Sequence, residues 1–289
     1  MAGNHSVVQP SAILDGGFQA AAPAKINRFL HIVGQRDDGH HLLETGFQFV
    51  DWCDWIHYRI TQIPGVQILS DPMALGTENL VYKAASTLLH GTQFGVEILI
   101  EKNLPSGGGL GGGSSDAATT LVALNQMFGL GFTDEQLQTL ALTLGADVPV
   151  FIFGQSCFAS GVGDQFEQMH WPGRQVLIAN PGVHVSTQGI FQSPKLTRDT
   201  PSCRIRASQL DITHNDCETL VREIYPTIDR LINRMQAFGE PRMTGTGGCV
   251  FVVDPVNSDS AGEVIGHLAE VKVSLLSNRS MLYNCGAYV

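Results

Sequence analysis

Six of the seven residues from Gly107 to Gly113 are glycine, and the run leads directly into a helix-like sequence. No helix or strand interior tolerates that density of bare backbone, so this segment folds as a loop that opens a helix. The helix pattern places Ala117, Leu121, Leu124 and Phe128 at i, i+4, i+7 and i+11. Ser114 or Ser115 is expected to cap its start, Asp116 suits its positive end, and Gly129 stops it. Without Cβ atoms, successive N–H groups can converge, and the helix N-terminus adds its partial positive charge. The combination is an anion site of phosphate size. A merely flexible loop would need neither the paired serines nor the helix.

Composition agrees with a local cause for the glycine. Of 289 residues 32 are glycine, against about 7% in ordinary proteins. They show no triplet period, which excludes a collagen-like chain. With 43% apolar and 15% charged residues, a disordered protein is excluded too. The net charge of −10 is a poor footprint for nucleic acid or an anionic membrane. No apolar run reaches the ~18–20 residues of a membrane span. The first 22 residues lack Lys and Arg, so they do not resemble a signal peptide, and Met1 to Ala21 are expected to form a mobile extension. The six cysteines (Cys53, Cys157, Cys203, Cys217, Cys249, Cys285) include no C-x-x-C pair, which points to buried reduced thiols in a cytoplasmic protein.

Ala24 to Val33 reads as a strand with Ile26, Leu30 and Ile32 on one face and Lys25, Asn27, Phe29 and His31 on the other. Gly39 supplies a turn after Arg36, and Leu42 to Ile60 suits a strand pair. Asn79 to Leu89 reads as a helix and Val96 to Lys102 as a strand. A capping box from Thr133 to Gln136 opens a helix that runs to Leu144 and stops at Gly145. Pro149 biases Val148 away from the helical region, placing Asp147 near a chain reversal. Later, short strands at Val176 to Ala179, Cys249 to Val253 and Val271 to Leu275 mix with helices at Asn215 to Ile224, Thr227 to Phe238 and Ser258 to Leu268. This order predicts an α+β fold, with one domain over 22–165 and a second over 166–289.

Three phosphate-loop readings compete. Gly107, Gly109 and Gly112 match the spacing of a dinucleotide fingerprint, but the helix runs into a second helix, and the acidic Asp134 and Glu135 sit in the first turn of that helix. A Walker loop lacks its Gly-Lys-Ser/Thr, and the H-R-D and D-F-G of protein kinases are absent. The third reading rests on three ordered motifs. These are Pro23-Ala24-Lys25-Ile26-Asn27, Pro105 to Ser115 in the pattern Pro-x-x-x-Gly-Leu-Gly-x-x-Ser-Ser, and Met243-Thr244-Gly245-Thr246-Gly247-Gly248. Together they resemble the GHMP kinase superfamily. Gly34 to His41, Leu142 to Phe151 and Asn180 to Val183 narrow the resemblance to the 4-diphosphocytidyl-2-C-methyl-D-erythritol kinase family.

The resemblance implies the two-domain GHMP kinase fold, with a ribosomal protein S5 domain 2-like N-terminal domain and an α/β substrate domain. It implies transfer of the γ-phosphate of ATP to the 2-hydroxyl of the methylerythritol moiety, with Mg2+ entering as the ATP complex. Asp147 would be the acid/base and Lys25 its partner. A carboxylate near pKa 3.9 cannot deprotonate an alcohol outright, so Asp147 would orient the hydroxyl and accept its proton late. The phosphates would lie along Pro105, Gly107, Gly108, Gly109, Leu110, Gly111, Gly112, Gly113, Ser114 and Ser115, with either serine hydroxyl available to the metal. Asn79 and Lys102 would lie near the adenosine. The cytidine diphosphate sugar-alcohol would meet Asn27, Thr187, Gly245, Thr246 and Gly247, with His41 at the cytosine edge and the base between residue 40 and Phe191. Position 40 is His40 where this family usually has tyrosine, which predicts weaker or pH-sensitive cytidine binding. A monomer or weak homodimer is expected. The rivals are a sister kinase for homoserine or a mevalonate derivative, and a nucleotide-binding regulator without turnover. The His40-His41 segment with Phe191 argues against the first, and Lys25 with Asp147 against the second.

Overall fold

A tight turn at 36–40 joins the two longest strands of the molecule, β1 (Phe18–Gln35) and β2 (His41–Thr61). Gly39 takes a positive φ in that turn, where its N–H donates to Arg36 O. The structure, a computed structural model, describes residues 17–73, 75–202 and 214–284. Leu42 to Ile60 is thus one strand rather than a pair. It stays extended because β1 lies along it for almost its whole length, with register shifts after Pro23, Asn27 and Ile32. Pro23 is tolerated at a shift, where no ladder bond is lost. Phe18 to Ala21 pair with β2 and belong to the fold, correcting the expected extension over 1–21; residues 1–16 lie outside the described residues.

Next come β3 (Gly65–Ser70), α1 (Leu80–Leu88) and β4 (Gly95–Glu101), with β3 and β4 parallel. The Asn79 side chain caps α1 by accepting from Val81 N–H. Helices α2 (Gly112–Phe128), α3 (Asp134–Leu142) and α4 (Val148–Phe153) complete this half. The Thr133–Gln136 capping box forms, and Gly129 ends α2 in the left-handed region, as expected. The start of α2 differs: its N-cap is Gly111 in the left-handed region, and neither serine caps it. Val148 is helical, with Pro149 in the first turn of α4, where the missing N–H has no helical partner to lose. Strands β5 (Cys157–Ser160) and β6 (Gln165–Gln168) form a hairpin that straddles position 165. The chain passes to the second half through 169–174.

That half holds β7 (Gln175–Asn180), α5 (Thr187–Gln192), α6 (Glu218–Ile224), α7 (Pro226–Met235), β8 (Arg242–Met243), β9 (Val250–Val253), α8 (Ala261–Ile265) and β10 (Glu270–Ser277). One path runs β3-β4-β2-β10-β7-β9-β8, so the last strand joins the two halves. Three buried clusters follow this plan. One lies between the first half's sheet and α1, α2 and α4, and one beneath α6 and α7. The third, with Ile26, Val50, Leu110, Ile178, Phe251 and Leu276, fills the junction. Such continuous burial makes the junction a packed core rather than a hinge. Cys53, Cys157, Cys217 and Cys249 are free and buried, and burial pushes Cys53 up to about 11 and Cys217 and Cys249 to about 12. Cys203 and Cys285 lie outside the described residues. No helix among the described residues is long and apolar enough to cross a membrane.

Candidate active site

The two glycine loops interlock. Cys249 N–H donates to Gly108 O at 3.0 Å, Lys25 N–H to Leu110 O at 3.0 Å, and Thr244 Oγ1 to Gly109 O at 3.2 Å. A Cβ on Gly109 would lie 2.2 Å from Thr244 O, and one on Gly248 2.8 Å from Gly107 O. These glycines are required for backbone to meet backbone, and both have positive φ. Leu110, expected at the phosphates, is instead a fully buried anchor that pins the loop into the junction core. Gly247 faces Met243 and Val221 and does not line the cleft. Asn215 holds the second loop, its Nδ2 donating to Met243 O at 2.9 Å and Gly245 O at 2.8 Å.

The first loop roofs a cavity of about 620 Å3 lined by Pro105, Gly107, Gly108, Gly109, Gly111, Gly112, Gly113 and Ser114. Ser115 is 0% exposed and lies outside that lining, its Oγ without a partner, so of these two serines it is Ser114 that offers a hydroxyl there. Lys25, Asn27, Asp147, Thr187, Gly245 and Thr246 face the same space. Lys25 is 2% exposed. Its Nζ donates to Asn27 Oδ1 at 2.6 Å, stands 3.2 Å from Asp147 Oδ2, and lies 5.3 Å from the centroid of Phe47. Strand alternation does point Lys25 and Asn27 the same way, as the sequence predicts. Asn27 is fixed in turn, because its Nδ2 donates to Thr45 Oγ1 and its N–H to Thr244 Oγ1, both at 2.9 Å. A buried ammonium group held by a carboxylate and an amide is fixed in place where an anion can reach it. Asp147 remains 44% exposed toward the cavity. Across from it, Thr187 Oγ1 and Thr246 Oγ1 are 2.8 Å apart.

Two base-sized compartments open from this centre. The larger, about 880 Å3, shares Leu43, Ala146, Val162 and Phe191 with it and adds His40, His41 and Arg198. The His41 and Phe191 rings are 5.0 Å apart and tilted by 34°. That spacing leaves no room for a base between those two rings. His40 is 70% exposed and bound to Asp38 at 3.2 Å. Its N–H holds the Asp38 carboxyl below the usual range. Arg198 was not legible as a functional residue, since nothing local connects it to His41, 157 positions away, which its Nε reaches at 3.0 Å.

The smaller compartment, about 250 Å3, shares Leu80, Lys102, Ser106, Gly107 and Gly113 with the phosphate cavity and adds Asn79, Met73 and Asp116. Asn79 Nδ2 donates to Asp71 Oδ1 at 3.0 Å. Lys102 is no solvated strand end: its Nζ donates to Asp54 Oδ2 and, at 2.6 Å, to Asp116 Oδ2. Asp54 also accepts from the N–H groups of Asn103 and Leu104, fixing the approach to the glycine loop. Burial pushes the Asp116 carboxyl up to about 7, which Lys102 only partly offsets. The two carboxylates, acting against burial, leave Lys102 above its ordinary value. His184, also unforeseen, sits on Gly107, where a Cβ would lie 2.2 Å from its Nδ1. Among the described residues no group of three or more His, Cys, Asp or Glu could hold a metal ion.

Comparison with known proteins places this architecture. The model of the GHMP kinases N terminal domain matches residues 79–155, and that of the GHMP kinases C terminal matches 205–271. A 4-diphosphocytidyl-2-C-methyl-D-erythritol kinase of Nitrosococcus oceani is 48% identical over 233 residues, spanning 80% of this chain and 83% of that protein. One from Cupriavidus taiwanensis is 44% identical over 264 residues, 86% and 87% of the two chains. A crystal structure of a 4-(cytidine 5'-diphospho)-2C-methyl-D-erythritol kinase superposes with a TM-score of 0.78 at 31% identity, covering 90% of this chain and 99% of that one. A homoserine kinase from Cytophaga hutchinsonii, at 18% identity and a TM-score of 0.67, shares the fold.

Proposed function

The chain belongs to the 4-diphosphocytidyl-2-C-methyl-D-erythritol kinase family of GHMP kinases, and from that premise we propose how its cleft performs the family's reaction. The enzyme transfers the γ-phosphoryl group of ATP to the 2-hydroxyl of 4-diphosphocytidyl-2-C-methyl-D-erythritol. One observation carries the assignment of parts: a phosphate cavity holding Lys25 and Asp147 stands between two separate base-sized compartments. Two nucleotide substrates with their phosphates meeting at the centre fill that plan. A homoserine or mevalonate acceptor would leave the larger compartment unused.

ATP lies with its base in the compartment of Asn79, Lys102 and Asp116 and its phosphates against the glycine loop. The cytidine base lies beside His41 and Phe191, and its diphosphate runs past Thr187 and Thr246 toward Asn27. Asp147 orients the acceptor hydroxyl and takes its proton late, which suits a loose phosphoryl-transfer state. Lys25, 3.2 Å from Asp147, orients that carboxylate and faces the negative oxygens of the moving group. Mg2+ bound to ATP would neutralise phosphate charge. Ser114 is the hydroxyl placed to meet it. The protein works as a cytoplasmic monomer or weak dimer. Phosphorylation of the cytidyl substrate by wild type, abolished in Asp147→Ala with ATP binding intact, is the expected result. ATP binding without turnover in wild type would sink the kinase reading.

A further inference from the structure

Arg198 spends its donors on the walls of the larger compartment. Nε donates to His41 Nε2 at 3.0 Å, Nη2 to Phe191 O at 2.9 Å and Ser193 O at 2.8 Å, and Nη1 to Leu196 O at 3.1 Å. A guanidinium has only donors and keeps its proton in proteins. His41 Nε2 must therefore offer it a lone pair. Burial, then Arg198, then His40 lower the His41 pKa, so the ring is neutral near pH 7 and its one proton sits on Nδ1. Nδ1 has no partner among the described residues, and His41 lines the compartment. The charged neighbours there are Arg36, Asp38, His40 and Arg198 itself. Asp38 is occupied by Arg36 at 2.8 Å and by His40, so it does not compete for the His41 proton.

We infer that Arg198 is a positioning residue for pyrimidine selectivity: by fixing His41 as the Nδ1–H tautomer, it presents a donor that suits the N3 acceptor of cytosine and opposes the N3–H of uracil. The inference rests on the kinase reading above. A site with one fixed donor rejects a ligand whose facing atom is also a donor, because both are left unpaired. The same guanidinium holds the Phe191 and Ser193 carbonyls, so the stacking ring and the donor keep one relative geometry.

Two measurements test this. Long-range 1H–15N spectra of the labelled wild type, with His41 assigned by comparison with His41→Gln, read the tautomer without substrate. The Nδ1–H form is expected, and the Nε2–H form overturns the inference. Steady-state kinetics then compare the cytidine diphosphate substrate with its uridine counterpart. In Arg198→Met the ratio of kcat/KM values falls by about tenfold while KM for ATP is unchanged. Arg198→Lys, which keeps one donor for Nε2, stays within about threefold of wild type. An equal loss on both substrates with the ratio preserved marks a purely structural role and overturns the inference. Should Arg198→Met not fold, the wild-type spectrum and Arg198→Lys decide it. A wild type that phosphorylates neither substrate refutes the kinase reading, and the spectrum alone then decides the role of Arg198.

Discussion

The glycine-loop cavity and the larger compartment share a wall yet are built by different means. The first is roofed by backbone: bare Cα atoms and a helix start, locked where Gly109 and Gly248 meet the opposing loop. The second is made of side chains gathered from distant segments, His41 from β2, Phe191 from α5 and Arg198 beyond it. Backbone recognition suits a ligand common to many enzymes, because phosphate asks only for N–H groups and positive charge. Side-chain recognition suits the ligand that differs between enzymes. It also exposes each region to a different kind of damage.

The comparison breaks most visibly at chemistry. Asp147→Ala is expected to lower kcat by about 10^3-fold with KM for ATP nearly unchanged, as steady-state kinetics would show. A loss below tenfold would remove Asp147 from the reaction. Next comes the backbone lock. Gly109→Ala puts a methyl group 2.2 Å from Thr244 O at a positive φ, and is expected to destabilise the fold by about 3 kcal/mol or more in denaturant titration. An unchanged midpoint would show that the loops part easily. In the side-chain region, Phe191→Ala should raise KM for the cytidyl substrate by about tenfold, with no change in KM for ATP.

The smaller compartment sharpens the contrast through charge. Asp116 is raised to about 7 when folded, from an ordinary 3.8, mainly by burial. The native state therefore holds the proton more tightly, and this contribution is complete below pH ~4 and lost as pH rises through 7. Asp116→Asn cannot ionise, so relative to wild type it should gain of order 2 kcal/mol between pH 5 and pH 8. Parallel thermal melts at the two pH values would check the difference. The smallest effect is expected at the exposed rim. His40→Tyr should lower KM for the cytidyl substrate about threefold, since a phenol ring offers more stacking area than an imidazole. An unchanged KM would show that no base stacks on the side chain at position 40.

The same division explains what could be read in the sequence. The Thr133–Gln136 box, the Gly129 stop and the shared face of Lys25 and Asn27 are local patterns, and each forms as read; the first glycine loop opens a helix as read, but with Gly111 rather than a serine at its cap. Leu110 and Gly247 lie within motifs, yet motif membership does not say which way a residue points, and both turn toward cores. Arg198, His184 and Asp54 act through partners far along the chain, and no periodicity carries that pairing. The length of β2 was hidden for a similar reason, since its 21 residues stay extended only because β1 runs beside them.

Strand β10 lies between β2 and β7, although it is nearly the last segment of the sequence. A ribosome therefore releases the piece that welds the two halves only after every other strand. Until then the growing chain carries two part-sheets with facing unpaired edges, at the stage when edges invite wrong partners. The cleft between the halves is incomplete before that strand is in place, so it forms with β10 rather than accumulating domain by domain.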